Sequence, residues 1–189
     1  MPVAQATTGE RILAAAAEMT AELGWSGVTM AALAERVGVS RQTVYNEWGS
    51  RDRLAEAMVL RELGAFLDEV DAGFDAYPGD LEAAVAEAIT LVLGLARVNP
   101  LLRAIVTATH GAETELVPLL TTRADVVIAV AGERVRDRLV DYPGVRRAAV
   151  DVTVDLLVRT VLSHVMQPSA DPEDVPVALA SAVRRLLED

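Results

Sequence analysis

Apolar residues recur at three- and four-residue steps along most of the chain, and glycines, prolines and capping polar residues cut these runs into segments. Ile12, Leu13, Ala16, Met19 and Leu23 predict a first helix, opened by a Thr7-x-x-Glu10 capping box and stopped by Gly24. Thr29 reads as the N-cap of a short second helix through Val37, broken by Gly38. Ser40 caps a third through Trp48, broken by Gly49. Ser50 caps a long fourth helix, Arg51 to about Ala76. After the turn Tyr77-Pro78-Gly79, Asp80 caps a helix to about Arg97, and Asn99-Pro100 opens another to about Thr109, closed by His110-Gly111. A long helix from about Thr114 to Asp141 takes Pro118 into its first turns. Tyr142-Pro143-Gly144 breaks it, and a helix from about Val145 to Gln167 follows. Asp171-Pro172 opens the last helix, to about Leu187. The pattern predicts an all-α chain of about nine helices without strands: a small N-terminal three-helix unit over residues 1–55, joined by the long fourth helix to a larger bundle over 56–189.

Composition narrows the chemistry. Hydrophobic residues make up 52% of the chain but aromatics only 4%, so Ala, Val and Leu supply the core and favour helix packed on helix. With no Cys, disulfides, thiolate metal sites and a thiol nucleophile are excluded. The two histidines, His110 and His164, stand far apart, so no His-rich metal site is expected. No G-x-S-x-G, H-E-x-x-H or Walker sequence is present. No catalytic residue, metal or cofactor is therefore expected, and the chain does not read as an enzyme. No secretion signal is visible, and no uncharged stretch approaches the ~18 apolar residues of a membrane span, so a cytoplasmic protein is expected.

The net charge of −11 argues against nonspecific nucleic-acid binding, because phosphate repels such a surface. The distribution is uneven. Residues 1–61 hold six Arg against seven carboxylates, and residues 62–189 hold eleven against 21. Within 36–53, four Arg face two acids, and all the basic residues of the chain are Arg.

That least acidic segment also carries a helix-turn-helix pattern. Ala34 is small where two helices touch, Gly38 sits in the turn, and Val44 is branched in the second helix, with Leu33, Val37 and Val39 as adjoining core. Such a motif lays its second helix in the DNA major groove. At ~100° per residue Val44 and Trp48 share one face and pack inward, while Gln42 and Asn46 point nearly opposite. Asn and Gln amides can pair bidentately with adenine. Arg41 and Thr43 flank them, with Arg41 in reach of guanine or phosphate. Tyr45 stands at the edge, either half-buried or with its hydroxyl toward a phosphate. Arg51 offers charge to the DNA backbone, and Thr29 opens a helix whose free N–H groups can hold another phosphate. Thr29, Ser40 and Ser50 are helix caps first and phosphate contacts only in addition.

The stretch T-M-A-A-L-A-E-R-V-G-V-S-R-Q-T-V-Y-N-E-W-G-S-R-D-R-L, Thr29 to Leu54, resembles the DNA-binding signature of TetR-family transcriptional regulators, and the resemblance extends over roughly residues 8–60. It implies a homodimer, a palindromic double-stranded operator, and release when a small molecule enters the C-terminal domain. On the matching positions it implies phosphate contacts for Thr29, Tyr45 and Arg51, and base contacts for Gln42, Thr43 and Asn46. Three departures stand out. Arg51 replaces a usual Lys, Gln42 replaces a frequent Gly, and Glu47 stands where His or an aromatic is common. A carboxylate near phosphate is unfavourable, so Glu47 either pairs with a neighbouring Arg or weakens binding.

Polar residues scattered through the apolar second part, at positions that periodicity places inward, are the candidates for an effector pocket: Arg103, Thr107, His110, Asp155, Arg159 and His164, with Phe66 as an aromatic wall. Each has a structural reading too. Asp155 and Arg159 stand i, i+4 and can pair along their helix, His110 can cap a helix end, and Thr107 can bond its own backbone. The expected effector is small and apolar, or amphipathic with one polar head. Two apolar stripes predict a dimer surface on the last two helices: Val150, Val154, Leu157, Val158, Val161, Leu162 and Val165, then Val175, Leu179, Val183, Leu186 and Leu187, with some of this surface also covering the chain's own core. The expected function is a ligand-responsive repressor. The alternative is an interaction protein that keeps the helix-turn-helix without specific DNA binding.

Overall fold

The computed structural model describes residues 6–103, 124–168 and 173–188. All regular structure among them is helical: α1 (Thr8–Leu23), a 3-10 turn (Trp25–Gly27), α2 (Met30–Val37), α3 (Arg41–Trp48), α4 (Arg51–Ala76), α5 (Leu81–Val98), α6 (Ala124–Leu139), α7 (Arg147–Met166) and α8 (Val175–Glu188). A further helix begins at residue 100. None of the described helices is long and apolar enough to cross a membrane. The chain divides into two compact units. One holds the described residues through Glu62 together with 99–103, and the other holds 63–98 and the described residues from Ala124 onward.

The first unit is built from short helices with well-made ends. Thr7 and Glu10 form the reciprocal capping box, with Glu10 N donating to Thr7 Oγ1 (3.2 Å) and Thr7 N to Glu10 Oε2 (2.7 Å). The Thr7 backbone N–H holds the Glu10 carboxyl below its ordinary range. Ala32 N donates to Thr29 Oγ1 (3.1 Å), Thr43 N to Ser40 Oγ (3.0 Å) and Arg53 N to Ser50 Oγ (3.2 Å), so each predicted cap is in place. Ile12, Ala16, Met19, Leu33, Val44, Leu54 and Met58 form the core. Buried Thr20 returns its hydroxyl to the Ala16 carbonyl (2.7 Å).

The second unit is made of longer helices. Asp80 caps α5 through the Ala83 N–H (3.0 Å). Phe74, Val85, Ile89, Leu139, Val150, Val154, Ala180 and Leu187 lie in its core. α4 meets α5 backbone to backbone at Gly73, where a β-carbon would stand 2.3 Å from Ala88 N. The Tyr142 hydroxyl donates to the carbonyls of Phe74 (3.2 Å) and Tyr77 (3.0 Å), closing the C-terminal end of α4. Arg146 closes α8 in the same way, through its N–H to Leu187 O (2.8 Å) and its guanidinium to Leu186 O (2.9 Å). Ion pairs join neighbouring helices: Arg134 with Asp71, Arg138 with Asp75, Arg136 with Asp151 and Arg184 with Glu82.

Three expectations need correction here. The last helix opens at Val175, not at Asp171-Pro172, which lies outside the described residues. Pro176 is the proline in its first turn, where a missing N–H costs nothing. The two apolar stripes expected at a dimer surface are mostly this chain's own core: Val150, Val154, Leu157, Val158, Val183 and Leu187 are buried, and Val161, Val165, Val175 and Leu179 pack partly buried against them. Both α7 and α8 are apolar on a second face as well, and there Val152 (66%), Leu156 (51%), Val177 (64%) and Leu186 (44%) are exposed. Asp155 and Arg159 do not face inward. The inner face of α7 is centred on Val150, Thr153, Val154 and Leu157, which leaves both exposed and paired to each other at 2.9 Å.

Candidate nucleic-acid interface

The turn between α2 and α3 is fixed by backbone bonds. Gly38 takes the left-handed conformation (φ 75°, ψ 39°), and Val39 N donates to Ala34 O (2.9 Å), the six-to-one bond of a Schellman motif. A residue with a β-carbon adopts that conformation at a cost, which accounts for the glycine. Ser40 then starts α3. α2 is tied to α1 from both ends of the contact. The Arg11 guanidinium donates to Val37 O at the α2 C-terminus (2.8 Å), and Arg36 pairs with Glu22 (2.7 Å). Arg36 holds the Glu22 carboxyl below its ordinary range.

α3 presents two faces, as its periodicity requires. Val44 is fully buried and Trp48 half-buried against the core, while Arg41, Gln42, Tyr45 and Asn46 are exposed. Tyr45 is 49% exposed. Gln42 Nε2 donates to Asn46 Oδ1 (2.8 Å), so the two amides are clasped. The clasp leaves Gln42 with its own carbonyl oxygen and Asn46 with its NH2 group, an acceptor beside a donor. Thr43 is half-buried and its hydroxyl is 2.8 Å from that of Ser40. Thr29 lies exposed at the α2 start.

Arg51 is half-buried at the start of α4. Its guanidinium stacks on the Trp25 ring (4.6 Å to the centroid) and donates to the Trp25 carbonyl. It fastens the 3-10 turn to the start of α4. Trp25 carried no signal for this in the sequence beyond its place after a helix-ending glycine. Arg41 and Arg53, by contrast, are exposed and carry no ion pair among the described residues. Arg53 follows the Ser50 cap beside Gly49, and only the charge count over 36–53 pointed to it. Glu47 pairs with no Arg among the described residues. Its carboxylate lies instead over buried Gly9 in the first turn of α1.

Of the effector candidates, Phe66, Arg103, Asp155, Arg159 and His164 lie among the described residues. Thr107 and His110 lie outside the described residues. Arg103 is exposed just after the helix start at Asn99, whose side chain accepts from Leu102 N (2.9 Å). Phe66 is half-buried on α4, and Arg159 is spent on Asp155. His164 does line a small cavity of about 50 Å³, with Leu93, Ala96, Arg97 and Val175 among its walls. A larger groove of about 350 Å³ runs past Phe74, Pro78, Arg138 and Tyr142, but its polar groups already serve each other: Arg138 pairs with Asp75 over the Phe74 ring.

The sequence model of bacterial regulatory proteins of the tetR family matches residues 12–58, and that of the bacterial tetracyclin repressor C-terminal domain matches residues 80–185. The chain belongs to the TetR family of transcriptional regulators. It is 29% identical to the HTH-type transcriptional regulator AlkX of Mycobacterium tuberculosis, over its whole length and 90% of that protein. Among solved structures it is similar to the TetR-family repressor AlkX of Dietzia sp., implicated in biodegradation of n-alkanes, with a TM-score of 0.77 and 26% identity over 97% of both chains. The TetR-family repressor QsdR of R. erythropolis shares the fold at a TM-score of 0.60 and 17% identity, over 93% of each chain.

Proposed function

We propose that this TetR-family regulator is a repressor that binds a palindromic operator as a homodimer and is released by a small, mostly apolar effector. The observation that carries the reading is the outer face of α3, where Gln42, Tyr45 and Asn46 stand exposed opposite a fully buried Val44. Gln42 and Asn46 read bases, with Thr43 held back by Ser40. Arg41 and Arg53 carry phosphate contacts together with Tyr45 and the helix start at Thr29, while Arg51 contributes by holding the frame. The small unit supplies the operator contacts, and the larger one the effector and the partner.

The second copy docks on the outer faces of α7 and α8, on Val152, Leu156, Val177 and Leu186, because water-exposed apolar residues on two adjacent helices suit an intersubunit four-helix bundle. An apolar effector agrees with a unit whose interior is Val, Leu, Ile and Ala, and with the role of the Dietzia relative in n-alkane biodegradation. His164, beside the small cavity, offers one polar group for an oxidised head. Acting on chromosomal DNA places the protein in the cytoplasm.

Selection of bound DNA from a random duplex pool at low salt tests the reading. An enriched inverted repeat is expected, and medium-chain hydrocarbons or their carboxylic acids should then release it. A folded protein that enriches no sequence would overturn the DNA-binding reading and leave the interaction-protein alternative.

A further inference from the structure

Counted at ~100° per residue from the fully buried Val44, Gln42 and Asn46 stand about 160° away on opposite sides. They therefore straddle the line of α3 furthest from the core, and both are exposed there. Four residues of helix separate them by about 6 Å along the axis, close to two base steps of about 3.4 Å. Side chains projecting independently from these positions would meet different bases. The clasp removes that independence. Gln42 Nε2 donates to Asn46 Oδ1 at 2.8 Å, which draws the two amides within one base step of each other.

The bond consumes one hydrogen of Gln42 and one lone pair of Asn46. The Gln42 carbonyl oxygen and the Asn46 NH2 group remain for a ligand, one acceptor and one donor. Turned the other way, the clasp leaves the same two functions in reverse order. The neighbouring hydroxyl does not compete, because Thr43 Oγ1 lies 2.8 Å from Ser40 Oγ. In the major groove adenine alone among the bases presents a donor, N6–H2, beside an acceptor, N7. Guanine presents two acceptors, so the Gln42 oxygen would face one of them. Cytosine offers a donor alone, and thymine an acceptor beside a methyl group.

We propose that Gln42 and Asn46 act as one reading head on a single adenine in each operator half-site: the Gln42 oxygen accepts from N6–H2 and the Asn46 NH2 group donates to N7. The proposal rests on the DNA-binding reading and deepens it, since two amides that could each take an adenine are joined to take one.

Selection from a random duplex pool, repeated with variants, tests it. Gln42→Ala and Asn46→Ala should each remove about tenfold of the discrimination for adenine at one and the same half-site position. The double variant should lose no more there than either alone, because the two residues work as a unit. Asn46→Asp still accepts from Gln42 Nε2 but leaves two outward acceptors, so preference at that position should pass from adenine to cytosine. Single variants that flatten two different positions would show two independent readers and overturn the proposal. A shared position that prefers a base other than adenine would overturn it as well, as would adenine preference retained in Asn46→Asp. Alanine variants that select the parent's sequence unchanged would reduce the clasp to a bond on the helix surface. A folded parent chain that enriches no sequence would sink the DNA-binding reading and this role with it, whereas any of the other contrary results, with a parent that selects an inverted repeat, sinks this role alone.

Discussion

The two units solve the problem of specifying helices in different ways. In the first, α1, α2 and α3, of eight to sixteen residues, are bounded by side-chain caps and by glycines with positive φ, so local chemistry sets their ends. Its α3 uses one buried Val and one half-buried Trp for packing and leaves a polar outer face with little packing to do. In the second, α5, α6 and α7 run 16 to 20 residues, and specificity comes from which face meets which neighbour. There the interhelical ion pairs and the Gly73–Ala88 contact fix the pairing. The first unit can therefore vary its exposed residues freely for recognition, while the second is constrained by contacts between positions far apart in the chain.

The sharpest way to break this contrast is at the closest contact. Gly73→Val should force α4 off α5, because the β-carbon meets backbone that cannot yield. A loss of about 3 kcal/mol is expected in chemical denaturation, the upper range for overpacking. Gly38→Ala, in the first unit, carries only the cost of a left-handed alanine, about 1 kcal/mol, and equal losses at the two sites would remove the distinction. Asn46→Ala should leave stability within about 0.5 kcal/mol but flatten base preference, with about tenfold less discrimination at one position of a selected operator. Arg53→Ala should weaken all duplexes alike and reduce the slope of log affinity against log salt by about 1, whereas Arg51→Ala should lower the melting temperature first.

The smallest effect separates the units by pH. Glu10 and Glu22 are held below their ordinary range by the Thr7 N–H and by Arg36, so their stabilisation is complete above the unfolded carboxylate value and is lost as pH falls through the folded one. Burial pushes Tyr142 up, so its contribution is complete below the ordinary tyrosine value and is lost as pH rises through the folded one. Hydrogen exchange should show acid loosening α1 and α2 first, and alkali loosening the ends of α4 and α6. Uniform loosening in either direction would contradict these assignments.

Much of this was legible in the sequence where causes are local. Thr7, Thr29, Ser40, Ser50 and Asp80 were readable as caps because a cap and its helix are neighbours in the chain. The inward Val44 and outward Gln42 and Asn46 followed from helical periodicity alone. The split of the α7 and α8 stripes between core and dimer surface was not legible, because both helices are apolar on two faces and periodicity cannot say which face meets its own chain. Arg51 was assigned by its charge, but its partner Trp25 lies 26 positions away. The same holds for Glu47: its own segment offered an arginine partner or weakened binding, and its seat is against a residue with no side chain at all.

That seat links two positions 38 residues apart in an evolutionary sense. A lineage that acquires a side chain at position 9 crowds the place where the acid rests, and a lineage that shortens the acid at 47 is released from that contact. Among relatives with this fold the two sites should therefore change together, glycine accompanying an acidic residue and larger residues accompanying a neutral one. Each position then carries a record of the other's history.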